Sequence, residues 1–155
     1  MSATGRSAVQ PRTPLRTAAL LVGATFLLVG LLGFVPGITH PFSDLGAAGP
    51  DSTAKLLGIF QVSVLHNIVH LLFGVVGLSL ARTRAGARTF LIGGGAVYFV
   101  LWIYGLVIDQ ESGANFVPVN SADNWLHLVL AIGMVALGAV GLRRLGSRRH
   151  GPSLA

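Results

Sequence analysis

The sequence predicts an all-α integral membrane protein. Four transmembrane helices form two repeated hairpins, related in parallel, with both termini in the cytoplasm. Three observations carry this reading. Only 10% of the 155 residues are charged, while 52% are hydrophobic and 21 more are glycine. An average soluble domain is roughly 25% charged, and a water-soluble surface needs that polarity. Four apolar stretches contain no Lys, Arg, Asp or Glu, and each approaches the ~20 residues a helix needs to cross a ~30 Å hydrocarbon core. Ten of the 11 basic residues also fall on one side of these stretches.

The first span runs from Thr17 to Val35 behind Arg6, Arg12 and Arg16. Its apolar run is longer than the h-region of a signal peptide and no small-x-small site follows, so an uncleaved helix is expected. The loop Gly37 to Ala54 is rich in Gly, Pro and Ala and reads as ordered loop or short helical turns. The second span covers about residues 58–81, the third 90–108 and the fourth 125–142, with Trp125 at an interfacial anchor position. Segments facing lipid must satisfy their own backbone, which makes them helices. Residues 15–145 then form one transmembrane domain. Residues 1–14 and the basic 146–155 are expected to be flexible tails.

Charge placement sets the orientation. Arg6, Arg12 and Arg16 precede span one, Arg82, Arg84 and Arg88 join spans two and three, and Arg143, Arg144, Arg148 and Arg149 follow span four. Lys55 and all five acids (Asp44, Asp51, Asp109, Glu111 and Asp123) lie on the other side. The positive-inside rule puts the arginines in the cytoplasm of a bacterial plasma membrane. The expected partners are the bilayer and, at the arginines, anionic lipid headgroups. A second copy or another membrane protein is a further partner class open to such a bundle. The net charge of +6 does not mark a nucleic-acid binder, because the arginines sit at helix ends without interleaved aromatics.

The chain also aligns with itself. Arg16-Thr17, Gly23-Ala24, Phe26 and Gly33 match Arg88-Thr89, Gly95-Ala96, Tyr98 and Gly105 at an offset of 72 residues. Asn67-Ile-Val-His70-Leu71 matches Asn124-Trp-Leu-His127-Leu128 at an offset of 57. The extra fifteen residues fall in the loop between spans one and two. Two spans per repeat make the halves parallel about an axis along the membrane normal.

Polar residues inside apolar spans are the candidate site. Ser63, His66, Asn67 and His70 in span two, with Asn124 and His127 in span four, share polar stripes that continue into glycine and alanine. The leading reading is interhelical hydrogen bonding that holds spans two and four together while small residues allow close approach. An alternative is a metal or haem site, with His66, His70 and His127 as ligands to iron, zinc or copper. A third is proton or small-solute transport. The sequence carries no nucleophile elbow, zinc-protease, Walker or dinucleotide motif, so no catalytic residue is assigned and no cofactor is expected under the leading reading. With no cysteine, thiolate sites and disulfides are excluded. Gly93-Gly94-Gly95 lacks the Lys-Ser/Thr of a phosphate loop and reads as close helix packing. Asp109 and Glu111 read as a solvated loop.

Two stretches carry a resemblance. Leu57 through Gly77, with its Ser-Val-Leu-His66-Asn67-Ile-Val-His70 core, and Ala122-Asp123-Asn124-Trp125-Leu-His127 resemble the domain-of-unknown-function family 4383, four-helix membrane proteins common in actinobacteria. The similarity spans about residues 14–145. It implies a fold and a membrane location, and no activity.

Overall fold

The computed structural model describes residues 13–146, and side chains as far as residue 140. The tails expected to be flexible lie almost wholly outside these residues. The described chain is mostly helical: α1 (Pro14–Leu32), α2 (Val64–Leu80), α3 (Arg84–Val107) and α4 (Ser121–Gly146). Three two-residue strands, β1 (Thr39–His40), β2 (Lys55–Leu56) and β3 (Phe60–Gln61), lie between α1 and α2.

Local chemistry sets each helix start. Pro14 opens α1, where its missing N–H is no loss and its fixed φ suits the first turn. The Ser63 hydroxyl accepts from His66 N at 3.1 Å and starts α2, and Thr83 accepts from Gly86 N at 3.0 Å and starts α3. At α4 the cap is reciprocal. Asn120 Oδ1 accepts from the backbone N–H of Ala122 and Asp123, while Asp123 Oδ2 accepts from Asn120 N at 2.9 Å.

Helix α2 corrects the second expected span, which was to run from 58 to 81. Leu57 and Gly58 take positive φ of 55° and 73° and turn the chain between β2 and β3. Phe60 and Gln61 then pair with Leu56 and Lys55, and the helix begins only after Ser63. Leu56 in this small sheet and Val62 just after it are buried, so the apolar character that suggested helix serves a loop instead. The intervening loop contains one 3₁₀ turn, Phe42–Asp44.

Helix α1 packs along α2 and α3 along α4. Contact between the hairpins is sparser, runs chiefly between α1 and α3, and leaves α2 and α4 with little direct backbone contact. The interior consists of small residues and a few rings. Ala19, Gly23 and Gly30 of α1, Gly74 and Gly77 of α2, and Ala131 and Met134 of α4 are buried around Phe26, Phe90 and Tyr98. The large aliphatic side chains instead point outward, among them Leu28, Leu72, Val100, Val129 and Ile132. Small residues inside and large apolar ones outside invert the soluble pattern and match helices packed in lipid. Helices α1, α3 and α4 are long and apolar enough to cross a membrane. Helix α2 has 17 residues, about 26 Å at 1.5 Å each.

Candidate functional site

The candidate residues gather where the helices meet the loop-rich end of the bundle. Ser63, His66, Asn67, Asn124 and His127 are all buried. Ser63 acts as the cap of α2, its oxygen engaged by His66 N. The sequence reading set the asparagines between spans two and four. In the structure each one packs against the first helix of its own hairpin. A Cβ added to Gly33 would stand 2.0 Å from Asn67 Oδ1, and one added to Gly105 would stand 2.3 Å from Asn124 Oδ1. Lower down, Gly23 abuts Gly74 O and Leu78 N, and Gly95 abuts Ala131 O and Val135 N. Gly94 of the glycine run likewise faces Phe73 and Met134.

The three histidines come together. The rings of His66 and His70 meet edge to face at 4.6 Å, and His70 lies 5.7 Å from Phe26. His127 stands 5.2 Å from Tyr98, whose ring stacks on Phe26 at 5.4 Å. Tyr98 is thus a core aromatic beside the cluster. His66 Nδ1 lies 2.9 Å from Pro118 O. A carbonyl can only accept, so Nδ1 carries the proton and a neutral ring keeps Nε2 as an acceptor. Nδ1 of His70, Nδ1 of His127, Oδ1 of Asn124 and both amide atoms of Asn67 are buried without a partner.

Two clefts meet at this cluster. The larger, a cavity of about 430 Å³ between α1 and α4, is lined by Phe26, Val29, His66, His70, Asp123 and His127 under Leu57 and Phe60 of the loop. The smaller, about 120 Å³ between α2 and α3, is lined by the same three histidines with Tyr98, Leu101, Tyr104 and Phe116. Among the described residues no three of His, Asp or Glu are grouped as a metal-ligand set.

Asp123 emerges as a site residue, where the sequence placed it only among the acids opposite the arginines and within the family-like stretch. Besides capping α4, its Oδ2 accepts from Gln61 N at 2.9 Å and so ties the β-loop of the first hairpin to the second. Asn120 Nδ2 donates to Ile59 O and Gly49 N to Phe116 O across the same junction. The Asn120-x-x-Asp123 spacing was the available signal for the cap. The partner Gln61 was not visible, because it comes from 62 residues away. Asp109 and Glu111 lie exposed in the loop between α3 and α4, where Asp109 Oδ1 accepts from Glu111 N.

Fold and surface thus define a helical membrane protein with a polar cluster inside one end. The family described as "Domain of unknown function (DUF4383)" matches residues 16–140, and the chain belongs to that family. No curated protein and no solved structure matches it.

Proposed function

We propose that this chain is a small non-catalytic protein of the bacterial plasma membrane. It crosses the bilayer four times with both termini cytoplasmic and presents its histidine cluster to two clefts between its hairpins. The observation that carries the reading is the residue-for-residue agreement of the two hairpins. A shift of 72 along the first helix and 57 along the second turns Gly33–Asn67 into Gly105–Asn124, and Phe26–His70 into Tyr98–His127. The same shift turns the approach of Gly23 to Gly74 and Leu78 into that of Gly95 to Ala131 and Val135. Phe26 and Tyr98, equivalent to each other, stack together as residues beside a twofold axis do.

This agreement supports duplicated parallel halves. Each half contributes two spans, which returns its ends to one side, and the arginines make that side cytoplasmic. The gathered polar groups are imidazoles and amides, and the hydroxyl beside them, Ser63, is engaged as the cap of α2, which supports binding over turnover.

The chain has no cysteine, so single-cysteine variants test the topology directly. Gly113→Cys should react with a membrane-impermeant thiol reagent in intact cells, and Ala85→Cys only after permeabilisation. The reverse pattern overturns the reading. Elemental analysis of protein purified without a histidine tag tests the cluster. Near-stoichiometric iron, copper or zinc that disappears in His127→Ala would replace simple binding by metal or haem ligation.

A further inference from the structure

We infer that the larger cleft is a binding site for a neutral amphiphile whose head carries a hydroxyl group, an inference that rests on the four-span reading above.

The first argument is volume. Close-packed interiors contain few voids larger than a water molecule, and this cavity of about 430 Å³ falls in the range of small-molecule sites. Helix packing alone does not demand it. The corresponding cleft on the other side holds only about 120 Å³, closed down by Tyr98, Tyr104 and Phe116.

The second argument is the route of entry. Exposed Leu21, Thr25 and Leu57 rim the larger cleft, which opens sideways between α1 and α4. In a bilayer that opening faces acyl chains, so the occupant arrives through lipid and carries an apolar tail.

The third argument is the chemistry at the closed end. His66 and His127 are more than nine-tenths buried, and they line the cavity with His70. His66 Nε2 is left as an acceptor by the bond from Nδ1 to Pro118 O, while Nδ1 of His70 and Nδ1 of His127 are enclosed within the cluster without a partner. Neutral imidazoles offer both an N–H and a lone pair. A hydroxyl donates once and accepts twice, so it answers both needs. An ammonium only donates, and Asp123 Oδ2, its natural counter-charge, is already engaged by Gln61 N and Asn120 N; a carboxylate only accepts and would also face Asp123. A charged head in this setting would be desolvated without full compensation.

Two sources of such a head, a phenol ring and an aliphatic alcohol, share this chemistry. Native mass spectrometry of the full chain in detergent can separate them by titration with 4-dodecylphenol, 1-dodecanol, dodecylbenzene, dodecanoate and dodecylamine. The expected result is a one-to-one complex with at least one hydroxyl probe, with a dissociation constant about tenfold or more below that of dodecylbenzene. Preference for the phenol identifies a ring head, and preference for the alcohol identifies a fatty or isoprenoid one. Thr25→Trp, at an exposed rim position, should weaken every probe about tenfold by filling the mouth. His127→Phe, which keeps the ring's shape, should bring dodecylphenol to within about twofold of dodecylbenzene. If His127→Phe fails to fold by thermal unfolding, Thr25→Trp still decides. Equal binding of dodecylbenzene, tightest binding of dodecanoate or dodecylamine, or full binding by Thr25→Trp would each overturn the proposal. If no probe binds while the cysteine pattern is as expected, this inference fails and the scaffold reading stands.

Discussion

Gly33 and Gly105 lack side chains in a place where an asparagine fills the space. Asn67 is fully buried and Asn124 nearly so, and neither amide can swing into solvent to make room for a methyl group. Gly33→Ala and Gly105→Ala should therefore each lose about 1–3 kcal/mol, the range for overpacking a filled interior. Gly113→Ala, with nothing within 4 Å of the new carbon, should unfold like the wild type. The pairing has a sharper test in Asn67→Ala on the Gly33→Ala background. Neither amide atom of Asn67 makes a hydrogen bond, so removing the amide breaks none and relieves the clash. The double variant should recover stability, with a coupling of about 0.5–3 kcal/mol in a thermal-unfolding cycle. The repeated Asn-x-x-His-Leu pattern was legible in the sequence. Its partner glycine was not, because spacing along one helix says nothing about which residue of another lies opposite.

Helices α1, α3 and α4 follow the apolar stretches closely, since lipid-length hydrophobicity specifies them together with a start signal, Pro14 for α1 and side-chain caps for α3 and α4. Helix α2 does not, because apolar residues 57–62 satisfy two structures equally well and the turn at Leu57-Gly58 decides between them. A leucine at φ 55° is unfavourable by about 1–2 kcal/mol where glycine is not. Leu57→Gly should thus raise the unfolding temperature, and a lower one would mean that the exposed leucine contributes more through contact than it loses through its backbone. Asp123 bears the opposite expectation. Asp123→Ala removes one half of the reciprocal α4 cap and leaves the part-buried Gln61 and Asn120 N–H groups without their acceptor, a loss of about 1–3 kcal/mol. Asp123→Asn keeps one oxygen in place and should lose clearly less. Equal losses would assign the effect to the charge alone.

At the scale of the whole molecule, the apolar helices were legible because hydropathy and charge placement point the same way, and the self-similarity of the chain supports the repeat we propose. The unequal clefts were not, since they depend on how the loops at residues 55–62 and 108–120 fold over the bundle end. On the proposed topology each hairpin begins and ends on the same side, so their order along the chain is free. A permuted chain that places α3–α4 before α1–α2 should insert with the same topology. Cysteine at position 113 would still label from outside, and loss of that labelling would count against the parallel arrangement.

On the duplication we propose, the stack of Phe26 on Tyr98 has a consequence for ancestry. Equivalent residues that touch across an axis are what two separate copies of one hairpin would bring together in a homodimer. In such a dimer every change appears twice, and the two clefts must stay identical. Joining the copies in one chain lets each side drift alone. A tyrosine can then stand opposite a phenylalanine and Asp123 can take the place that corresponds to His66. One cleft can close while its twin stays open, an asymmetry that no assembly of identical hairpins could hold.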